Sequence, residues 1–188
     1  MPKIILIEGL PKYERVNEAK SIAEALEVMK KSCDGRRARH LEIIPHTVES
    51  KADFINWLEK ETDFLHVSAH GKRKKGKTVL KITRGSIITS EEIEKLNIKA
   101  KVIFVSACQQ SRKDMADAFL KAGKPKYRYY IAPRVDVPFD EAFIVALLFY
   151  KKAFLGKASE RKRNHFYNAL NYVYSLKDIK TRYRLLQV

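Results

Sequence analysis

Cysteine is scarce in this chain: Cys33 and Cys108 are the two among 188 residues. They have no metal-ligand spacing and make no disulfide framework, so neither a zinc site nor a covalent staple accounts for the fold. Long apolar runs are missing as well. The longest, Ala142 to Tyr150, has nine residues against the roughly 20 needed to cross a bilayer, and it suits a buried helix face. No amino-terminal stretch follows the charged, apolar and small-residue succession of a signal peptide, because Met1 to Leu10 already reads as a strand interrupted by Glu8. The expectation is a cytoplasmic protein without membrane, metal or organic cofactor. Repeats, low-complexity tracts and linkers are absent too, which leaves residues 1–188 as one domain with a sizeable core. Acidic residues are few, 22 against 38 basic, for a formal net charge of +16. That excess favours an anionic partner, nucleic acid or acidic protein, without choosing between them.

What the chain does have is two segments of one grammar. Asp63-Phe64-Leu65-His66-Val67-Ser68-Ala69-His70-Gly71 and Lys101-Val102-Ile103-Phe104-Val105-Ser106-Ala107-Cys108 are apolar strands that end in a reactive side chain. Buried parallel strands deliver their last residues to the carboxyl edge of the sheet, where α/β proteins place their chemistry. His70 and Cys108 would meet there, an imidazole beside the thiol it can deprotonate, which is the minimum equipment for acyl transfer. His66 shares the parity of His70 along the strand and so could orient groups near it. Asp63 stands too far along the strand to touch His70.

The surrounding elements fit that placement. Lys3 to Leu10 and Arg39 to Pro45 read as strands, and Asn17 caps a helix that Asp34-Gly35 stops. Phe54, Ile55, Trp57 and Leu58 form an amphipathic helix leading to the His70 strand, and β-α-β-α-β implies a right-handed, doubly wound parallel sheet. After His70 a basic loop, Lys72 to Lys77, leads into a hairpin around Arg84-Gly85, then a capped turn from Ser90. Such a loop, rich in like charge, should be mobile and cleavable. Asp114 to Ala122 reads as a helix, Tyr129 to Ala132 as a strand, Pro138 to Phe154 and Asn164 to Leu176 as the last helices.

The segments Leu65-His66-Val67-Ser68-Ala69-His70-Gly71 and Phe104-Val105-Ser106-Ala107-Cys108 resemble the paired His-Gly and Ser-Ala-Cys motifs of CHAT-domain proteins, caspase-like cysteine peptidases related to separase. Thr78 to Leu96, Met115 to Gly123, Phe149-Tyr150, Leu155 to Ser159 and Ala169-Leu170 look like parts of the same domain. The resemblance implies a caspase-like α/β/α sandwich with a mainly parallel central sheet and a small β-hairpin insertion. It also implies a protein or peptide substrate, with His70 as general base, Cys108 as nucleophile and the N–H groups of Gly71 and Cys108 as oxyanion hole. An activating partner or proteolytic step is compatible with it. Two departures bear on substrate selection: Gln109-Gln110-Ser111 lacks the usual glycine, and Pro133-Arg134-Val135 stands where a tryptophan is common. Arg134 argues for an acidic residue before the cut and Asp136 for a basic one. A rival reading is a non-catalytic basic module that binds nucleic acid or a partner protein, helped by Phe166, Tyr167, Tyr172, Tyr174 and Tyr183.

Overall fold

β-Branched and aromatic runs bounded by polar breaks can bury both faces of a strand, and here they do. The computed structural model describes residues 2–10, 17–32, 40–74, 76–83, 85–123, 129–155, 165–176 and 183–187; Cys33 lies outside them. Strand β1 (Lys3–Glu8) leads through α1 (Glu18–Ser32), β2 (Glu42–Thr47) and α2 (Lys51–Leu58) to β3 (Thr62–Ser68). Three short strands follow, β4 (His70–Lys74), β5 (Lys77–Ile82) and β6 (Ser86–Thr89), then α3 (Ser90–Glu94) and β7 (Ala100–Ser106). The chain continues as α4 (Lys113–Lys121), β8 (Tyr129–Pro133), α5 (Phe139–Leu155), α6 (His165–Tyr174) and β9 (Tyr183–Gln187).

The central sheet has the order β2-β1-β3-β7-β8-β9. All its pairings are parallel except β8 with β9. Alternation along each strand sorts the side chains onto two faces. Ile5, Leu65, Ile103 and Tyr130 stand in one register row and pack under α2, α3, α4 and the small sheet. Leu6, His66, Phe104 and Ile131 form a neighbouring row on the opposite face, under α1, α5 and α6. Each fully buried Ile, Leu or Phe contributes about 1.5–3 kcal/mol relative to exposure, so the α/β/α layering follows from the apolar runs themselves.

Several expectations shift. Strand β2 runs Glu42–Thr47 rather than Arg39 to Pro45, and it carries Pro45 because it is an edge strand, where a missing N–H is tolerated. The cap of α3 is Thr89 rather than Ser90: its hydroxyl accepts the Glu92 N–H at 3.4 Å while the Glu92 carboxylate takes the Thr89 N–H at 3.0 Å. The insertion is a three-stranded antiparallel sheet, order β4-β5-β6. The basic run expected as a loop is largely strand β4, paired from His70↔Lys81 to Lys74↔Lys77. Gly76, at φ 81°, supplies the left-handed residue of the tight turn between them. Strand β9 extends the sheet with an antiparallel edge that the doubly wound pattern did not include.

Candidate active site

Strands β3 and β7 run side by side to a last pair, Ser68 with Ser106. The Ala69 N–H then donates to the Ser106 carbonyl at 3.4 Å. His70 and Cys108 each follow their member of that last pair by two residues, just beyond the carboxyl edge. The contact there is backbone on backbone. A Cβ built on Gly71 would fall 1.8 Å from the Cys108 carbonyl oxygen and 2.7 Å from Gln110 Nε2. No side chain fits, because real Cβ contacts never approach so closely. Glycine at this position is a steric requirement of the joint.

Cys108 itself is half-buried, with its thiol 3.9 Å from the Val137 carbonyl. The fully buried Gln110 holds the joint from beneath. Its amide nitrogen donates to the Cys108 carbonyl at 3.1 Å and to the Val79 carbonyl of β5 at 3.4 Å. Its own backbone carbonyl accepts the Tyr130 hydroxyl at 3.0 Å. A second tie comes from Asp114 in the first turn of α4, whose carboxylate accepts the Thr78 N–H at 2.7 Å and the Thr78 hydroxyl at 2.8 Å. Burial works against charge on Asp114, yet the hydrogen bonds from Thr78 outweigh it and hold the carboxyl below its usual range. The small sheet that carries His70 is thereby fastened to the segment that follows the cysteine.

Gln109, which stands where the resemblance leads one to expect glycine, adopts φ 59°. A left-handed non-glycine residue costs on the order of 1–2 kcal/mol, and its neighbours hold it there. The Gln109 N–H donates to the Val135 carbonyl at 3.1 Å and its amide nitrogen to Asp136 at 2.8 Å, while Arg112 Nε donates to its Oε1 at 3.0 Å. The Ser111 N–H reaches the Pro133 carbonyl at 3.0 Å. The segment from Pro133 to Val137 therefore wraps the cysteine loop. Arg134 and Asp136 are both exposed beside it, and Asp136 is already engaged by Gln109.

Other residues singled out from the sequence lie elsewhere. His66 is fully buried on the α1/α5 face, with Nδ1 2.8 Å from the Tyr150 hydroxyl and Nε2 3.3 Å from the Glu18 carboxylate. It does not reach the edge. Asp63 is at the amino end of β3, accepting the Lys3 N–H at 3.0 Å and pairing with Lys101. Phe166 packs edge-on against Phe64 and Tyr129, and Tyr183 is buried in β9, so these aromatics serve the core. Tyr174 is half-buried with its hydroxyl on the Tyr183 carbonyl, while Tyr172 is exposed; the Tyr167 side chain is outside what is described. Among the described residues no cluster of three or more His, Cys, Asp or Glu is arranged to hold a metal, and no helix is long and apolar enough to cross a membrane. Gln110 and Asp114 are the residues that sequence reasoning missed. Asp114 had a signal, an acid in the first turn of an expected helix, but nothing in the pattern marks Gln110 as buried.

By sequence, no family model and no curated protein matches the chain. By structure, the chain is similar to separase from Saccharomyces cerevisiae, solved in complex with securin, at a TM-score of 0.52 and 13% identity over 89% of this chain. It is similar also to the Drosophila initiator caspase Dronc, at a TM-score of 0.51 and 11% identity over 97% of this chain. The fold is caspase-like. The match spans 11% of the separase chain and 77% of the Dronc chain. Identities this low carry the architecture of a caspase-like module, and what such a module does has to be argued from its own residues.

Proposed function

We propose that this caspase-like module is a cysteine peptidase in which Cys108 is the nucleophile and His70 the general base. The observation that carries the reading is the Gly71–Cys108 joint: a bare backbone forced against the residue that bears the thiol, at the carboxyl edge of a parallel sheet. In this mechanism His70 takes the thiol proton and Cys108 Sγ attacks the scissile carbonyl carbon. The carbonyl pair moves to oxygen, where the N–H groups of Gly71 and Cys108 receive it; a donor so placed lowers the barrier by about 3 kcal/mol. Collapse restores the carbonyl and breaks the C–N bond as the imidazolium hands its proton to the leaving amine. Water then hydrolyses the thioester, with His70 again accepting a proton.

The test uses a peptide chloromethylketone series as trap and a diverse peptide library as substrate. Wild type should gain the mass of one inhibitor at Cys108 and cut a subset of peptides. Cys108→Ala should lose both signals at unchanged stability, because a methyl in place of a thiol at a strand end removes little packing. The reading fails if wild type is neither trapped nor active. Binding of nucleic acid that weakens steeply with salt would then favour the basic-module alternative, which the charge of +16 supports.

A further inference from the structure

Part of the basic excess stands beside the candidate site. Strand β4 begins at His70 and continues Gly71-Lys72-Arg73-Lys74. Among the described residues it pairs with β5 on one side and with no strand on the other. Side chains alternate along a strand, so Lys72 and Lys74 project to the same side as His70, at intervals of about 7 Å. Opposite His70 in the ladder stands Lys81, which joins them on that side. Lys72 and Lys74 are exposed. Lys77, opposite Lys74, joins the row at its far end and is matched by Glu91, whereas among the described residues no carboxylate pairs with Lys72, Lys74 or Lys81. Among the described residues the row thus carries three lysines without a carboxylate, Lys72, Lys74 and Lys81.

Lysines on an edge strand also discourage pairing with other chains, and that role asks only for charge, in any order and with any partner. The row here has a direction. It starts at the imidazole and runs away from it, and an imidazole that protonates a leaving amine must stand on the amine side of the cut. We infer that β4 receives the part of an extended substrate that follows the cleaved bond, and that this part is acidic at alternate positions, with carboxylates two and four residues past the cut meeting Lys72 and Lys74. The inference rests on the peptidase reading for its direction. Its chemistry is that of strand addition to an open edge, backbone hydrogen bonds for affinity and alternate side chains for selection.

Two measurements separate the surface from the reaction. In the first, internally quenched peptides of a sequence that wild type cuts carry Glu, Gln or Lys at the second and fourth positions after the cut. Wild type should prefer Glu over Gln by roughly three- to tenfold in kcat/KM, as two solvent-exposed ion pairs allow. The preference should fade with added salt and turn toward Lys in Lys72→Glu/Lys74→Glu. In the second, the Cys108→Ala chain is titrated against the Glu and Gln peptides and a single-stranded RNA of equal charge, by fluorescence anisotropy. Cutting without charge preference at these positions overturns the inference and leaves the peptidase reading intact. Absence of cutting and trapping, with Glu-peptide binding that the double substitution abolishes, overturns the peptidase reading and keeps the acidic-peptide surface. RNA held more tightly than the Glu peptide, and lost in the double variant, overturns the inference in favour of nucleic acid; no binding to either probe overturns it outright.

Discussion

His66 and His70 are four residues apart and live in opposite surroundings. His66 is sealed on the α1/α5 face, its Nδ1 hydrogen-bonded with Tyr150 and its Nε2 near the Glu18 carboxylate without a hydrogen bond to it. Nearby, the Ser68 hydroxyl donates to Glu18 at 2.8 Å, and the buried Glu8 carboxylate accepts the N–H groups of Ala19 at 3.0 Å and Leu10 at 3.1 Å. His70 is half-exposed at the start of β4, one residue before the glycine that packs on the Cys108 carbonyl. One imidazole packs between α1, α5 and β3; the other stands half-exposed at the start of β4. Identity of side chain predicts neither role. Depth and partners do, and each can be changed separately.

The largest contrast should come from removing each ring. His66→Ala strips a buried polar network of its centre and leaves a cavity, which should cost about 3–5 kcal/mol in urea unfolding. His70→Ala should cost about 1 kcal/mol or less while abolishing thiol trapping. Equal stability losses would erase the distinction drawn between the two histidines.

Acidity probes the sealed region through Glu8. Burial, aided by the nearby Glu18 charge and opposed by the Ala19 and Leu10 hydrogen bonds, raises the Glu8 carboxyl to about 7. The folded chain thus holds a proton that the unfolded chain has released, and the stability this supplies is complete below about pH 4.5 and lost as pH rises through about 7. Between those limits wild type should lose on the order of 3 kcal/mol relative to Glu8→Gln, read from unfolding curves across the pH range. Trapping of Cys108, normalised to folded protein, should not follow that difference.

At the edge, Gly71→Ala forces a methyl into the Cys108 carbonyl. It should destabilise by about 1–3 kcal/mol and slow trapping by roughly a hundredfold as an oxyanion donor is displaced. Gly76→Ala gives the smallest effect and serves as its control. A Cβ there meets nothing within 4 Å, so only the left-handed backbone is penalised, about 1 kcal/mol, with trapping unchanged. If the two glycine variants lose reactivity alike, the joint is not what matters.

The parts of this arrangement that were legible in the sequence are those written in apolar periodicity. Ile4 to Ile7, Leu65 to Val67 and Val102 to Val105 could be nothing but buried strands, and their parallel pairing puts Gly71 against the Cys108 carbonyl. The helix from Pro138 was legible because Pro138 can stand before a first turn, where its carbonyl indeed accepts the Ala142 N–H at 3.0 Å. Strand β4 was not legible, since Lys72-Arg73-Lys74 has no hydropathy alternation; it is a strand because Gly76 turns it back onto the buried Val79 and Leu80. Strand β9 hid for a similar reason, with Arg184 breaking a short run whose burial comes from β8. Gln110 left no trace at all, because a buried amide is fixed by its partners and those are known only once the chain has folded.

Ala69 alone separates β3 from β4, and Ala107 alone separates β7 from Cys108. The joint between Gly71 and Cys108 is therefore an extension of the β3–β7 ladder, which fully buries Leu65, Val67, Ile103 and Val105. Opening it works against the packing of those four residues. In exchange terms, the Ala69 N–H, which donates to the Ser106 carbonyl, should be protected by that ladder, while amides left open to receive an oxyanion should exchange freely.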